Sequence, residues 1–553
     1  MRRLSSAFLA CILAGMALFA QAQPALPTPW PTRQWTSATP ASQGLDAAVL
    51  ADLVNQLARP GLHTDSVILV RNGRVVLESY AAPFRAELRH DLRSVTKTVV
   101  AAIVGTAIQE GRIASDQAKV LAFFPEHTPT GHGQQVLTVR HLLDMRTGIE
   151  WREWPYDAQS DAVKMLSTPD LTEFILSRPV SEPGERTHYT GAGPHLLSAI
   201  VTRSTGRNAA DFARGHLFSA VGIEDFSWPS DARGDSIGDS RLRLRTRDLA
   251  RLGLLYLRDG RWDGRQLLPR GWAESLFTDP GPPHGIDSPI LPPTYRSLWW
   301  TDGKVPYAAA SGRHGQMIVL LPKQDMVLVV TAKTAEDERG ANAPDLVRRY
   351  LLTAVLGNGA VPGSAASQAR LERAIRRFAQ REASAFRKPS ASALEQARRV
   401  YQLEANGPGY REFSLDLAGP QPGYALLQAN PAVPTGQRVH GGPLGLDGRF
   451  LESSRPDDRL WARRGRWIDE RSFRIETQHL EAAVVTEWTA RFLRNGELEL
   501  VYTDGEGESL KIRGRARDPA RAALVALPPV HRMGHDGRHA GPKPGATSRS
   551  ATE

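Results

Sequence analysis

Cysteine is almost absent from this 553-residue chain, since Cys11 is the only one. A disulfide within the chain and a cysteine-based metal site are therefore excluded. Long apolar runs are also missing: the stretch at residues 7–20 is shorter than the roughly 20 residues that span a bilayer, and no later stretch qualifies. Lysine and arginine outnumber aspartate and glutamate, 69 to 59, but they form no basic block with interleaved aromatics, which argues against nucleic-acid binding.

The first 22 residues have the features of a secretory signal peptide. Arg2 and Arg3 precede the apolar stretch, and Ala20-Gln21-Ala22 offers a small-x-small cleavage site. Cleavage after Ala22 would remove Cys11 and those two arginines, lowering the formal charge from +10 to +8. A lipid anchor at Cys11 would need a longer apolar stretch before it. We therefore expect a periplasmic or secreted protein without a membrane span.

Asn-Gly pairs between β-rich runs predict hairpins. Asn72-Gly73 lies in one such stretch and Asn495-Gly496 in another, while residues 317–331 repeat the pattern around a Pro322-Lys323-Gln324-Asp325 turn. Between the hairpin at Asn72-Gly73 and the hairpin at residues 317–331, most of the chain has helical or irregular patterns. Strands at both ends of such a segment predict an α+β domain, in which an antiparallel sheet is flanked by helices and accompanied by an all-helical subdomain.

Length and composition predict at least two domains. After a signal peptide at residues 1–22, we expect the α+β domain at residues 23–360 and an Ala-, Arg- and Glu-rich helical connector at residues 361–405. Period-two alternation at residues 406–520 predicts a small all-β barrel or sandwich domain. The Gly-, Pro-, His- and Ser-rich residues 521–553 are expected to be disordered.

Ser94 and Lys97 stand three positions apart at the start of an apolar stretch. On a helix, such positions lie on one face, so the hydroxyl and the amine can meet. The apolar residues that follow predict a helix buried on every side, and burial lowers the pKa of a lysine. This pattern predicts an activated serine nucleophile. Alone, it also fits a serine that caps the helix and a lysine that reaches solvent.

Two further stretches could complete a hydrolase site. Tyr189 lies just before a predicted helix, where it could accept or pass on the Ser94 proton; a buried structural tyrosine is the alternative. Arg313-His314-Gly315-Gln316 leads into a strand, where a backbone N–H could hold an oxyanion; a simple turn is the alternative. His188 and His195 could move protons, although a solvated or helix-facing histidine is commoner.

Together, these stretches resemble the serine β-lactamase and penicillin-binding-protein superfamily, specifically the class C β-lactamase-like hydrolases. The resemblance runs from about residue 40 to residue 357. Supporting stretches are Leu137-Thr138-Val139-Arg140-His141-Leu142-Leu143-Asp144-Met145-Arg146-Thr147-Gly148, Arg247-Asp248-Leu249-Ala250-Arg251-Leu252-Gly253 and residues 295–300. The Gly-x-His-Gly-Gln form at residues 312–316 is similar to 6-aminohexanoate-dimer hydrolases and family VIII carboxylesterases.

The resemblance implies a role for each matching position. Ser94 would be the acylated nucleophile, Lys97 its base partner and Tyr189 the tyrosine of the Tyr-x-Asn motif. The backbone N–H groups of Ser94 and Gln316 would form the oxyanion hole. The implied substrate-binding positions are Gly191, Arg313, His314 and Gly315, the last three falling on the Lys-Thr-Gly motif. The implied cycle uses an acyl-enzyme and water, with no metal or cofactor.

Departures from the motifs narrow the expected substrate. Gly191 replaces the asparagine that holds the acyl amide of β-lactams and peptides, and Arg313 or His314 replaces a lysine. We therefore expect an exported hydrolase of small ester, amide or peptide-like substrates, with no nucleic-acid partner. A β-lactamase or D,D-peptidase is one alternative. A catalytically weak protein that binds cell-envelope ligands is another.

Overall fold

Two antiparallel sheets hold most of the strands of this computed structural model. The structure describes residues 30–517 except 280, 284, 286–288, 334–340, 381–387, 433–435, 447, 455–459, 483 and 505–508. The predicted signal peptide and the predicted disordered tail therefore lie outside the described residues. None of the helices in the described part is both long and apolar enough to cross a membrane.

The first sheet has seven strands in the order β2-β1-β11-β10-β9-β8-β7. Its strands are β1 (Thr64–Arg71), β2 (Arg74–Tyr80), β7 (Thr294–Arg296), β8 (Trp299–Asp302), β9 (Tyr307–Gly312), β10 (Gln316–Leu321) and β11 (Met326–Ala332). Two small ribbons pair β3 (Arg89–Asp91) with β4 (Arg243–Arg245) and β5 (Arg261–Trp262) with β6 (Arg265–Gln266). Because β1 pairs with β11, strands from both ends of the domain meet inside the sheet, as predicted.

Helices cover this sheet and fill the insertion between β2 and β7. They are α1 (Ala47–Leu57), α2 (Val95–Gln109), α3 (His132–Val136), α4 (Val139–Leu143), α5 (Asp161–Leu166), α6 (Leu171–Leu176), α7 (Ala192–Thr205), α8 (Ala209–Ala213), α9 (Ser219–Val221), α10 (Thr246–Leu257), α11 (Ser275–Thr278) and α12 (Ala343–Leu346). Helix α2 is the buried helix that its apolar sequence predicts: all of its residues up to Ala107 are buried. Helix α10 lies directly on the sheet, since a Cβ added at Gly253 would sit 2.5 Å from the Val327 side chain.

The predicted hairpins are confirmed. Asn72 and Gly73 both have positive φ, 50° and 69°, which is the backbone that a two-residue turn between β1 and β2 requires. Asn495 (φ 64°) turns the chain in the same way near the carboxyl end. The short strands β7 to β9 were not expected, because segments of three to six residues in a Pro- and Gly-punctuated region give little alternation.

The second sheet has ten strands in the order β15-β14-β13-β12-β21-β20-β19-β18-β17-β16, and it curls into a nearly closed barrel. Its strands are β12 (Val400–Leu403), β13 (Tyr410–Asp416), β14 (Gly423–Ala429), β15 (Gln437–Pro443), β16 (Leu451–Ser454), β17 (Leu460–Trp467), β18 (Ser472–His479), β19 (Val484–Phe492), β20 (Glu497–Asp504) and β21 (Ser509–Ala516). Inward side chains such as Phe413, Phe473 and Trp488 form a separate core. Of the two architectures predicted for this domain, barrel and sandwich, the structure has the barrel.

The segment between the sheets contains α13 (Ala365–Gln380) and α14 (Ala391–Ala397). Its last residues already belong to the barrel as β12. The barrel also contacts the first domain directly, where Phe84 and Leu88 pack against Ala462 and Leu480. Beside them, Arg89 forms ion pairs with Asp225 at 3.1 Å and Glu481 at 2.7 Å. The two domains therefore share an apolar contact with a charged rim.

Candidate active site

A cleft of about 520 Å³ opens where the start of α2 meets the end of β9. Ser94 lies on its floor, at the amino end of α2. The charged residues along its walls are Arg93, Glu153, Asp239, Arg241 and Arg313. The apolar and aromatic residues along its walls are Trp154, Tyr156, Leu166, Tyr189, Ile290, Leu291, Trp300 and Met317. A cleft of this size with a few convergent polar groups is typical of a small-molecule site.

Lys97 connects Ser94 to the backbone at Asp239. Its Nζ donates a hydrogen bond to Ser94 Oγ at 3.0 Å and another to the Asp239 carbonyl oxygen at 2.8 Å. Lys97 is 2% exposed, so it does not reach solvent, and the alternative of a snorkelling lysine is wrong. Ser94 accepts no capping hydrogen bond from the helix. The hydroxyl is therefore held by the ammonium and faces the cleft.

The residue before Ser94 has an unusual backbone. Arg93 has φ 49°, a left-handed conformation that costs energy for any side chain with a Cβ. The Asp91 carboxylate stabilises this turn by accepting a hydrogen bond from the Arg93 backbone N–H at 2.9 Å. Such a strained residue beside a candidate nucleophile is typical of active sites, where the backbone conformation positions the reacting group.

The pKa of Lys97 differs from the sequence-based expectation. Burial lowers this pKa, but the neighbouring Tyr189, Asp239 and Glu153 oppose burial, and the net shift is upward from 10.5. The expectation of a neutral amine is therefore wrong, because it considered burial without the acidic groups that the fold brings to Lys97. Lys97 is an ammonium at neutral pH.

Tyr189 lies beside Lys97, as the combined motifs predict. The Lys97 Nζ is 5.2 Å from the centre of the Tyr189 ring, and the Tyr189 hydroxyl also acts on Lys97 as a hydrogen-bond partner. The ring stacks on Trp300 at 5.4 Å and meets the edge of Tyr295 at 6.0 Å. This aromatic cluster fixes the ring plane, so the Tyr189 ring is held beside Lys97. Trp300 lines the cleft.

Two carboxylates near Lys97 were not identified from the sequence. The buried Glu153 accepts hydrogen bonds from the Gly191 backbone N–H at 2.9 Å and from the Trp151 indole at 2.7 Å. Burial raises the pKa of Glu153, although Lys97 and these donors oppose that shift. Asp239 is likewise buried. No sequence motif marks either residue. Both are distant from Lys97 in the sequence, and only the tertiary packing brings them close to it.

The two histidines near Tyr189 lie away from the nucleophile. His195 is 0% exposed, and its ring contacts Thr172 at 3.4 Å and Asp231 at 3.5 Å. His188 is exposed and lines a smaller neighbouring cavity. Neither lines the cleft that contains Ser94. The structure therefore favours the commoner interpretation of both residues, a structural histidine and a solvated one.

Comparison with known proteins places this geometry in a family. The model of the β-lactamase family matches residues 47–352, which is more than half of the chain. The chain belongs to the β-lactamase family. The 6-aminohexanoate-dimer hydrolase of Paenarthrobacter ureafaciens is 29% identical over 337 residues, covering 56% of this chain and 83% of that protein. Esterase EstB of Burkholderia gladioli is 26% identical over 221 residues, covering 35% of this chain and 55% of that protein.

One solved structure is similar over most of the length of the chain. The octameric penicillin-binding protein homologue from Pyrococcus abyssi gives a TM-score of 0.44 at 15% identity, and the alignment covers 84% of this chain and 99% of that one. The predicted superfamily resemblance is confirmed by the family match and by the relatives. The chain is thus a β-lactamase-family serine hydrolase with amidohydrolase and esterase relatives.

Gly191 stands where many β-lactamase-family sequences are expected to have asparagine. It caps the amino end of α7 with φ −75°, a backbone that any residue can adopt. A Cβ at this position would lie 3.5 Å from Asp239, which is an ordinary contact. The glycine is therefore not required by the fold. The glycine instead changes the chemistry of the cleft, because the side-chain amide of an asparagine is missing and the Asp239 carboxylate lies beside the place that this amide would occupy.

The segment predicted to match the third motif lies in a turn after β9. Arg313–Gly315 form a short 3-10 turn between β9 and β10. It is Gly312, at the end of β9, that lies against the nucleophile segment: a Cβ there would be 2.6 Å from the Leu92 carbonyl oxygen and 3.2 Å from Arg93 Cβ. Only glycine permits this close approach. Arg313, His314 and Gly315 line the cleft, and their role in substrate binding stays a prediction.

Gln316, the predicted second oxyanion donor, lies deeper than that assignment needs. It is the first residue of β10 and is 1% exposed. Its side-chain oxygen accepts a hydrogen bond from the Ala332 backbone N–H on β11. Gln316 does not line the cleft, whereas Arg313, which directly follows Gly312, does. The position of Gly312 thus favours Arg313 over Gln316 as the residue whose backbone faces the nucleophile.

Proposed function

We propose that this protein is an exported serine hydrolase that cleaves small esters or amides through an acyl intermediate on Ser94. The observation that carries the proposal is the 3.0 Å hydrogen bond between Lys97 Nζ and Ser94 Oγ on the floor of an open cleft. A serine hydroxyl held by an ammonium, beside a tyrosine, is the arrangement that an activated nucleophile requires.

The Ser94 proton passes to the Tyr189 oxygen in this scheme. Tyr189 accepts this proton as its phenolate, so negative charge moves from the Tyr189 oxygen to the Ser94 oxygen and then, as the new bond forms, to the substrate carbonyl oxygen. The Lys97 ammonium beside both oxygens acts by charge, because it stabilises this anion without giving up its own proton. This assignment moves the base role from Lys97 to Tyr189. After acylation, the same oxygen returns the proton to the leaving group, and in the second half-reaction it takes a proton from water.

The oxyanion of the tetrahedral intermediate is held by backbone N–H groups. We assign these to Ser94, at the start of α2, and to Arg313, the first residue after β9. The support is that Gly312 brings this strand end to within van der Waals contact of the residues that precede Ser94. Such fixed donors stabilise the charge that develops in the transition state, at roughly 3–4 kcal/mol for each donor.

The cleft walls fit a small substrate with an apolar part. Trp154 and Tyr156, which are 50% and 38% exposed, stand at the cleft and offer aromatic surface. The Arg313 guanidinium lies 5.5 Å from the Tyr156 ring, so a positive charge stands beside this surface. The relatives named as a 6-aminohexanoate-dimer hydrolase and as an esterase support amide or ester cleavage. Gly191 supplies no side-chain amide, and the Asp239 carboxylate beside it disfavours β-lactams, which carry a negative charge.

Labelling with a fluorophosphonate probe tests the nucleophile. We expect covalent labelling of the wild-type protein and none of Ser94→Ala, with Ser42→Ala as a control that removes an exposed hydroxyl elsewhere. Turnover of p-nitrophenyl butyrate should exceed turnover of a chromogenic cephalosporin. Labelling that persists in Ser94→Ala would refute the assignment, and a folded wild-type protein that is not labelled would favour the ligand-binding alternative.

A periplasmic or secreted location completes the proposal. Its support is the basic, apolar and small-x-small pattern in the first 22 residues. Expression in a bacterial host and amino-terminal sequencing of the periplasmic fraction would locate the cleavage site, which we expect after Ala22. A product that stays in the cytoplasm with Met1 intact would contradict the export proposal.

A further inference from the structure

A second cavity, of about 900 Å³, lies between the two domains. We call it the interdomain groove. On the hydrolase side it is lined by the segment from α1 to the start of β1 and by α13, and on the barrel side by β17, β18 and β19. It shares no lining residue with the cleft that contains Ser94. The mechanism proposed above does not use it.

The barrel wall of the groove has an excess of positive charge. Arg464 and Arg466 project from the same face of β17, and Arg474 lies directly opposite Arg466 on β18. The Arg474 Nε lies 3.5 Å from a Glu487 carboxylate oxygen, so the three arginines of this wall share two carboxylates. Glu476 accepts from both Arg464, at 2.8 Å, and Arg466, at 3.1 Å, so one carboxylate is shared by two guanidiniums.

The hydrolase wall adds further positive charge and no negative charge among its described residues. Arg59 and Arg377 line it together with His63. Arg377 donates to the neutral Asn55 side chain at 2.9 Å. Across the whole groove, five arginines therefore face two glutamates, Glu476 and Glu487. Two walls of the same sign are unfavourable across a domain interface unless an anion lies between them.

The groove also contains an unused buried donor. The Arg466 side chain is 11% exposed, and its Nε has no hydrogen-bond acceptor among the residues that the structure describes. A buried donor without an acceptor is costly. Guanidinium groups arranged in pairs bind phosphate and carboxylate oxygens through two parallel hydrogen bonds.

We infer that the interdomain groove is a binding site for a small polyanion that carries several phosphate or carboxylate groups. Such a ligand would accept from Arg466 and neutralise the charge that Arg59 and Arg377 add to the three arginines and two glutamates of the barrel wall. It would also connect the two domains, because the arginines come from both walls. The volume of the groove accommodates more than one anionic group.

Calorimetric titration of the full-length protein tests this inference, with inorganic tripolyphosphate and citrate as separate probes at constant ionic strength. We expect one-to-one binding of at least one probe, and the tighter of the two identifies phosphate or carboxylate as the preferred group. Arg377→Gln combined with Arg474→Gln should weaken binding by about tenfold or more, since each removes a charge-assisted contact. The Ser94→Ala variant should bind like the wild type, so this result is independent of the proposed hydrolase activity.

The matched control is Arg513→Gln combined with Arg515→Gln. Both arginines are exposed on β21, outside the groove, and the net charge changes by the same amount. This control should bind within about twofold of the wild type, because a uniform charge effect is screened at moderate salt. Equal weakening in both double variants, or no binding of either probe, would overturn the inference. If the groove double variant fails to fold, Arg377→Gln alone carries the test, since that side chain is exposed on α13.

Discussion

Replacing Lys97 by methionine tests the central contact of the proposed mechanism. The ammonium is buried, and it donates to Ser94 Oγ and to the Asp239 carbonyl oxygen. Methionine keeps the length of the apolar stem while removing the charge and both hydrogen bonds. Loss of a group that assists proton transfer typically reduces the rate by about 10²- to 10⁴-fold. This corresponds to roughly 3–5 kcal/mol of transition-state stabilisation.

Folding of the variant should be retained, for a reason that the structure supplies. The Asp239 carbonyl oxygen loses a donor, which costs about 1–3 kcal/mol. Removing the buried ammonium relieves its own desolvation cost but leaves the buried Glu153 and Asp239 carboxylates without the cation beside them, and these two effects oppose each other. We therefore expect a cooperative thermal transition by circular dichroism. Lys323→Met, in the turn between β10 and β11, is the control for a lost positive charge, and its acylation rate should match the wild type.

The assay is the acylation burst with p-nitrophenyl butyrate, measured by stopped flow. Tyr189→Phe should slow the burst by a similar factor, and the double variant should be little slower than either single variant, because both residues act on one proton. Acylation of Lys97→Met within about threefold of the wild type would refute the reasoning. Additive losses in the double variant would show that Lys97 and Tyr189 act separately.

Two further predictions concern specificity and acid stability. Gly191→Asn should fold, because an added Cβ would lie 3.5 Å from Asp239, which is an ordinary contact. This variant should raise the turnover of a cephalosporin relative to that of a p-nitrophenyl ester. An unchanged ratio would contradict the role given to Gly191. Burial lowers the pKa of His90 from 6.5 to about 4, so unfolding takes up a proton and stability is lost as the pH falls from 6.5 toward 4. Between pH 7.5 and pH 5, the wild type should lose about 2 kcal/mol more of its urea-derived unfolding free energy than His90→Gln. Equal losses would show that His90 is not buried in its neutral form.

The features that were predictable from the sequence are those encoded within a few residues. Asn72-Gly73 specifies its turn by backbone preference alone, and Ser94 and Lys97 are placed on one helix face by helical geometry. The alternation in β13 and β19 arises because one face of each strand packs into the barrel core. In these cases, local geometry and the final packing agree.

The features that were missed depend on residues distant in sequence. Glu153 and Asp239 reach Lys97 through separate loops, so neither the acidic surroundings nor the raised pKa of Lys97 could be derived from α2 itself. The barrel strand β17 has the sequence Leu-Trp-Ala-Arg-Arg-Gly-Arg-Trp, and two of its arginines, Arg464 and Arg466, form ion pairs with Glu476 on β18. Such a strand does not show the alternation of apolar and polar residues, because charged side chains that pair with charges on the neighbouring strand take the place of apolar ones.

Both sheets pair a strand from the beginning of their domain with one from its end: Val67 lies opposite Val330, and Tyr401 lies opposite Ala516. A nascent chain leaving the ribosome therefore cannot complete either sheet until nearly the whole domain has been synthesised. Closing such long loops is entropically costly and slows folding. The hairpin of β1 and β2 must wait for β11, so a polypeptide that stops before Met326 would expose the apolar edge of β1 and aggregate.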